Sequence, residues 1–412
     1  MDNLTHSLIG ALAGEAAARF IPTVKSTLPE SARRTLFLGL MVVGSNVPDL
    51  DLFYTGIAGG KLGYLLQHRG HTHTVVGAMV AAALMYLVCI TWVKWRNLSA
   101  APMDRCWLAL LALFAPLLHI AMDAANSYGV HPFWPFNNDW LYGDSIFIVE
   151  PLFWVAAGTP LLFLLRTRLA RAVVALILLT GIVLSFGTGL VPRPLAVGLA
   201  GLMAGLLLVG WLTSARTVVL SGLAVTVGVF CMFVTASHLA SRKLEALVAG
   251  QFPHEKLLDH VLTPMPVNPV CWEVIVIQVL QDKYTLRRAN LSLAPNWIVA
   301  DTCPLNNMTA DITAPLTPVA APGSAALQWY GEVVMSVAEV RSVSRQSCEA
   351  AAFTRFARAL FVSRREDGWL IGDLRFDHEP GLGLAELALD SGHDNCPPFI
   401  PPWTPPRSDI LQ

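Results

Sequence analysis

From Val75 to Ser237 most residues of this chain are apolar and the charges cluster in short breaks, and that property constrains its fold more than any motif does. A helix crossing a hydrocarbon core about 30 Å thick needs about 20 mainly apolar residues, and in lipid every backbone polar group must be satisfied within the chain. Five or six stretches meet the length requirement: 74–93, 106–122, 146–165, 172–190, 195–213 and 217–237. The fourth to sixth are rich in Gly, Ala, Leu and Val, which suits close helix packing in lipid. Two shorter apolar stretches, 4–20 and 35–47, read as a tilted hairpin or a re-entrant pair, with Asp2 or Thr5 as a cap for the first.

Composition supports a membrane assignment. Only 14% of residues are charged and 54% are hydrophobic, against about 25% charged in a soluble chain. The net charge of -1 and the lack of a basic stripe argue against a nucleic-acid partner. The N-terminus does not read as a cleavable signal peptide, because Asp2 and His6 stand where a basic region belongs and Glu15 breaks the apolar run.

Lys and Arg in short loops set the expected sidedness. Lys94, Arg96 and Arg105 share one loop, and Arg166, Arg168 and Arg171 share another two crossings on. Segment 123–145 between them holds no Lys or Arg. The basic loops therefore read as cytoplasmic, joined by Lys25, Arg33 and Arg34 if the first two stretches form a hairpin. Six crossings from Val75 place everything after Ser237 outside, with Arg242 and Lys243 the mild counter-signal.

The expected architecture is mainly α: a multi-pass helical membrane domain over 1–245, its polar motifs within 1–150, followed by a small α+β extramembrane domain over 246–412. Segments 272–280 and 329–340 read as strands and 349–360 as a short helix. Segment 369–376 reads as the second arm of a hairpin after an Asp367–Gly368 turn, 315–323 as a loop, and 396–406 as a polyproline-like tail. Cys89, Cys106 and Cys231 lie in or beside spans, whereas Cys271, Cys303, Cys348 and Cys396 lie in the second domain. Those last four permit two bridges in an oxidising compartment, or four free thiols.

Four polar clusters interrupt the N-terminal part: Leu4–Ser7, Pro48–Asp51, His68–His73, and His119 to Asp123 with Asn126 and Ser127. They hold five of the eleven histidines: His6, His68, His71, His73 and His119. Taken singly, His6 reads as a helix-start polar residue and Asp51 as part of a turn and cap. Three imidazoles within 68–73 are costly beside lipid unless paired or ligated. His119 and Asp123 stand i,i+4 on one helix face, the spacing by which a helix offers two ligands to one ion, and also that of a plain hydrogen bond. The His68–His73 cluster enters one span and the His119–Asp123 pair leaves the next, so both fall on one membrane side. A hairpin of the first two stretches brings His6 and Asp49 there too. Neutral His with carboxylates is a ligand set for Zn²⁺ or Mn²⁺, and Asp-rich sets hold two ions.

These residues resemble a known family. Met1–His6, Gly44–Asp51, the run His68-Arg-Gly-His-Thr-His73, and His119 with Asp123 and Gly129 are similar to the inner-membrane metal-dependent hydrolases, the YdjM-like group. The likeness covers about 1–160, and 264–272 with 368–376 look like the C-terminal part of longer members. The resemblance implies an inner-membrane location, a divalent metal, and functional roles for His6, Asp49, Asp51, His68, His73, His119 and Asp123. His71 stands where the family pattern varies. A similarity in ligand order to zinc-dependent phospholipase C points to phosphoester chemistry by analogy alone.

The resulting expectation is metal-assisted hydrolysis of a lipid or other membrane-associated ester or phosphoester, with the bilayer as partner. Zn²⁺, or alternatively Mn²⁺, would be held by His6, Asp49, His68, His73, His119 and Asp123. Asp49 or Asp51 would bridge or act as general base, and Arg69 would neutralise a phosphate or anchor at the interface. The alternative is a non-catalytic metal-binding scaffold or a transporter. A transporter should carry polar residues near the midplane of several spans, and the fourth to sixth carry almost none.

Overall fold

The computed structural model describes residues 1–55, 57–304, 313–366, 368–378, 381–390 and 396–412. The first helices, α1 (Asn3–Phe20) and α2 (Glu30–Gly44), form the hairpin. Asp2 caps α1, accepting from Thr5 N at 2.9 Å. The helices pack antiparallel and very close: a Cβ at Gly10 would lie 2.6 Å from Met41 O, and one at Gly14 would lie 2.9 Å from Leu38 Cα. Glu15, the charge inside the first apolar stretch, is buried and paired with Arg19 and Arg34. After α2 the chain bends by 52° into a 3-10 turn, Val47–Asp51, and the short α3 (Leu52–Thr55). A second short helix, α4 (Gly60–Gln67), leads to the His68–His73 segment.

Among the described residues, five helices are long and apolar enough to cross a membrane: α5 (Val75–Trp95), α6 (Pro102–Asp123), α8 (Arg168–Gly187), α9 (Arg193–Leu212) and α10 (Ala215–Gln251). Thr74 caps α5, its Oγ1 accepting from Gly77 N at 2.8 Å. The stretch 146–165 is only partly helical, as α7 (Pro151–Leu164). Its 14 residues reach about 21 Å, too short for a roughly 30 Å core. Most of α7 is buried against other helices, so it has little surface to match to lipid. By contrast α10 has 37 residues and a length of about 55 Å. Its last turns leave the apolar bundle, and Ala240, Leu244 and Val248 pack against Trp272, Val274 and Val276 of the following domain.

Among the described residues that domain holds two antiparallel sheets. One is a meander of β1 (Lys256–Met265), β2 (Asn268–Leu280), β3 (Lys283–Ser292) and β4 (Leu327–Ser336). Two short helices, α11 (Val337–Ser344) and α12 (Cys348–Phe353), lead to the second sheet: β5 (Leu360–Arg365), β6 (Gly368–Asp373) and β7 (Glu386–Asp390). The expected strand 329–340 ends at Ser336, whose hydroxyl accepts from Ala338 N and Glu339 N and starts α11. The expected helix 349–360 stops at Phe353 and its last residue already belongs to β5. β5 and β6 pair as the expected hairpin, although Asp367 of its turn lies outside the described residues. Disulfides join Cys271 to Cys303 and Cys348 to Cys396. A last short helix, α13 (Ser408–Leu411), ends the chain.

The two parts meet in an extensive polar and apolar contact. Segment 124–150 hydrogen-bonds the second domain through Trp140 Nε1 to Arg355 O at 2.8 Å, Asp144 to Arg358 at 2.9 Å, and Ser127 O to Arg375 at 2.7 Å. Glu150, the cap of α7, accepts from Leu152 N at 3.0 Å and from Val267 N, in the β1–β2 turn, at 3.1 Å. Its burial outweighs those two amides and pushes the carboxyl up to about 8. Because the folded value lies above the ordinary 4.5, the group favours folding below pH 4.5 and loses that contribution as pH rises toward 8. Glu150→Gln keeps an oxygen for both amides and removes the ionisation. Its melting temperature in detergent should exceed that of the parent by a margin that widens from pH 5 to 8 and then levels. A margin that is flat with pH would show that Glu150 is not a buried acid.

Candidate metal centre

The hairpin, the bend after α2, the loop before α5 and the end of α6 converge at one end of the bundle. Asn46 Nδ2 donates to Ser7 Oγ at 3.1 Å, holding the start of α1 beside the turn that carries Asp49 and Asp51. The i,i+4 pair His119 and Asp123 enters from α6. His73 closes the group from the 3-10 turn His71–His73.

Four side chains point donor atoms at one another. His73 Nε2 lies 3.3 Å from Asp49 Oδ1, 3.3 Å from Asp123 Oδ2 and 3.1 Å from His119 Nε2. His119 Nε2 lies 3.5 Å from Asp49 Oδ1 and 3.4 Å from Asp123 Oδ2. Atoms at the corners of a tetrahedron around an ion with bonds of about 2.0–2.1 Å stand about 3.3–3.4 Å apart. The five separations match that figure, so the residues present fit a tetrahedral divalent cation. His119 Nδ1 is 2.7 Å from Ser45 O, an outer contact that fixes the ring with Nε2 inward. Asp123 is fully buried, so its charge must be matched from within the cluster, as a cation at this position would do.

A second group shares Asp49: with Asp51 and His68 it sets three donor atoms within 4.8 Å of one another. Asp51 is held by Arg69 N at 2.9 Å and Thr72 Oγ1 at 3.0 Å, and it pairs with His68 Nδ1 at 3.0 Å. The structure thus draws together Asp49, Asp51, His68, His73, His119 and Asp123. A buried His/Asp cluster of this kind can hold a divalent metal.

The charge balance points the same way. Burial opposes a charged ring at His73, yet hydrogen bonds to Asp123, Asp49 and Asp51 push it up to about 10. Without a metal, then, the imidazole holds a proton as the cation that three buried carboxylates require. Arg69 is the other fixed positive group, 3.0 Å from Asp123 and 2.8 Å from Asn126, its guanidinium over the Tyr128 ring. It is buried, so it is no interfacial anchor. Its φ of 59° lies in the left-handed region, a strain of about 1–3 kcal/mol that the bond from its amide to Asp51 helps offset. His6 touches the cluster from the side: its Nε2 is 3.2 Å from Asp123 Oδ1 and its ring stacks on His119 at 3.8 Å. The Met1 amine also pairs with Asp123.

His71 turns away from the donors and packs against Trp134 and Trp403. Trp403 belongs to the proline-rich tail, for which the sequence suggested only an extended conformation. Its indole donates to Leu66 O at 2.8 Å, and Gln67 donates to Phe399 O at 3.2 Å. A Cβ at Gly70 would meet Gln67 O at 2.8 Å and Trp403 at 3.2 Å, so glycine permits this close seat. His131 stacks on Trp403 at 3.7 Å and is held neutral by burial, at about 3. The tail therefore clamps the loop that presents His68 and His73. The nearest sequence signal was the single Trp among the prolines.

Residues 1–191 match the model of the YdjM inner membrane protein family. An uncharacterized protein of Bacillus subtilis strain 168, YfhP, is 28% identical over 170 residues, which is 39% of this chain and 48% of that relative. The chain thus matches about half the length of that relative. No solved structure matches.

Proposed function

We propose, from the match of residues 1–191 to the YdjM inner membrane protein family and the donor set they carry, that this chain is a membrane-bound metal-dependent hydrolase. Its substrate in this reading is a lipid or other membrane-associated ester or phosphoester. One observation carries the proposal: two donor groups of different completeness share Asp49. His73, His119, Asp49 and Asp123 alone would make a closed, structural site. Asp49, Asp51 and His68 offer three donors and leave a position open, the pattern of a catalytic site. A divalent cation, Zn²⁺ before Mn²⁺ given the two imidazoles and tetrahedral spacing, supplies Lewis acidity and a nucleophilic water near neutral pH.

The chain's residues supply the rest. Asp51 orients His68 through the 3.0 Å contact and is itself fixed by two donors. His68 and Asp49 are the two members of the cluster with measurable exposure, 9% and 8%, and so lie on its approach side. Arg69 offsets carboxylate charge within the cluster. Hydrolysis adds water across the ester: its oxygen joins the carbonyl or phosphoryl centre as the bond to the leaving oxygen breaks, one proton passes by way of Asp49 or Asp51 to that oxygen, and the other goes with the acid product. The test is metal analysis of detergent-purified protein together with turnover of a phosphoester and phospholipid panel. About one or two ions per chain are expected, with activity lost to a chelator and restored by Zn²⁺. Protein that neither retains nor takes up a transition metal would remove the basis of the reading.

Orientation is part of the proposal. Ser26 and Thr27, in the loop before α2, bond Asp104 at the start of α6, and Arg34 of α2 bonds Leu164 O at the end of α7. This gathers Lys25, Arg33, Arg34, Lys94, Arg96, Arg105, Arg166, Arg168 and Arg171 at the end opposite the cluster. The positive-inside rule makes that end cytoplasmic and the metal cluster and second domain extracytoplasmic. The two disulfides suit an oxidising compartment. Reporter fusions near Asn138 and beyond the end of α10 should both report the outside. Denatured protein should take up alkylating reagent at Cys89, Cys106 and Cys231 before reduction, and at all seven cysteines after it. A cytoplasmic Asn138 reporter, or seven adducts without reductant, would invert the model.

A further inference from the structure

A groove of about 430 Å³ runs between α2 and α5 on the outside of the bundle. One end lies at Thr35 and Trp92, the other at Val47 and Leu50. Its walls are aliphatic over nearly all their length, and Val43, Leu84 and Val88 on its rim are exposed. Two small residues make it deep. Gly39 and Ala81 line it, and a Cβ at Gly39 would meet no atom within 4 Å. α5 is long and apolar enough to cross a bilayer, and α2 is so together with the bent segment after it, so in a membrane hydrocarbon chains surround this groove.

The position of one end sets this groove apart from ordinary lipid-facing surface. Val47 and Leu50 belong to the 3-10 turn Val47–Asp51, and the same turn carries Asp49 and Asp51 into the donor cluster. From Thr35 to its end at Gly44, α2 rises roughly 14 Å at about 1.5 Å per residue, close to the depth of one leaflet of a roughly 30 Å core. Beyond the turn, Leu52, Phe53 and Ile57 are exposed, as residues at a lipid–water boundary are. A molecule whose tail lies in the groove therefore has its head at the depth of the cluster. It enters sideways from the bilayer and need not leave it.

We propose that this groove holds one acyl chain of a glycerophospholipid and presents the lipid's ester or phosphoester linkage to the cluster of Asp49, Asp51 and His68. The second half of that statement rests on the hydrolase reading above; the first half does not. Gly39→Phe puts bulk into the groove from a position where a Cβ meets no atom within 4 Å, and glycine is the poorer helix former. Gly198→Phe on α9, where a Cβ also meets nothing within 4 Å, adds the same bulk to a lipid-facing helix away from the groove.

The closing experiment has two arms, both on the full chain in nanodiscs. In the first, a phosphatidylglycerol bearing a diazirine in its acyl chain is photolysed and the adducts are mapped. Adducts should concentrate on α2 and α5 within the groove, fall at least about tenfold in Gly39→Phe, and persist in Gly198→Phe, since even one methylene-sized pocket contact is worth that much. Adducts spread evenly over α5, α8 and α9 and unchanged by Gly39→Phe would overturn the groove. In the second arm, Gly39→Phe should lower kcat/KM for long-chain phospholipid at least about tenfold and leave a soluble aryl phosphate within about twofold of the parent. An equal loss on both substrates would mean that the substitution damages the cluster and that the groove does not select the chain. Focused adducts with no turnover of any ester would keep the lipid site and discard the hydrolase.

Discussion

His119→Ala is expected to empty the four-donor position and to abolish turnover, while the protein still inserts and folds. His119 Nε2 lies 3.1–3.5 Å from the other three donors, so no neighbour can replace it without moving. Loss of an outer contact to a metal ligand commonly costs about 10–100-fold in affinity or activity, and loss of the ligand itself should cost at least the larger figure. The substitution leaves the pairing of Asp123 with Arg69 in place, so that carboxylate keeps a buried partner. Asp123→Asn is the complementary variant. The amide oxygen still accepts from Arg69, but it lacks the charge that offsets a cation. A helix-surface hydrogen bond would tolerate that exchange; a ligand would not. His254→Ala, on an exposed residue of the second domain, should keep full metal content. Full occupancy and activity in both His119→Ala and Asp123→Asn would make the i,i+4 pair structural.

Residues 1–123 were the most legible part of the chain, for a physical reason. Ionisable groups beside lipid are costly, so each polar cluster in an apolar sequence marks a place where partners must converge. A hairpin was one of two readings of the two short apolar stretches, the one that brings His6 and Asp49 to the same side, and Gly10 and Gly14 supply the close packing that permits it. The division of the donors was not legible. Spacing along a helix shows that His119 and Asp123 can act together, but not that His68 falls with Asp51 while His73 falls with them. That partition depends on the turn at Arg69 and Gly70, where a non-glycine residue adopts a left-handed conformation that no local pattern requires.

The second domain was less legible because its polar residues are satisfied at a distance. β3 contains Arg287 and Arg288, which break any alternation of apolar and polar residues. Both are buried, however, and bonded to Glu255, Glu332 and Glu273 from other segments. β1 includes Asp259, whose partners Arg358 and Arg407 lie about a hundred residues or more away. Such pairs make a strand look like a loop when read locally. The end of α10 misled in the other direction, since its apolar run continues as a helix whose buried face changes from neighbouring helices to a sheet.

His68→Ala should separate the two positions of the cluster, and it is the sharpest test of which one is catalytic. His68 is the sole imidazole of the three-donor group and takes no part in the tetrahedral group. Its removal leaves Asp51 anchored by Arg69 N and Thr72, so the turn keeps its shape. Protein carrying two ions should fall to about one, with the remaining ion in the four-donor position, and turnover should drop at least about 100-fold. His119→Ala should lose the other ion, so the two variants differ in which ion survives as well as in how many. Should His68→Ala keep both ions and lose activity, His68 acts as a proton carrier oriented by Asp51 and the second ion is held by the carboxylates. Should it keep both ions and full activity, the open position is not the reactive one, and the closed group would then have to account for any hydrolysis. A closed tetrahedral group has no place for substrate or water, so that result would remove the structural argument for catalysis and leave a membrane protein with a structural metal.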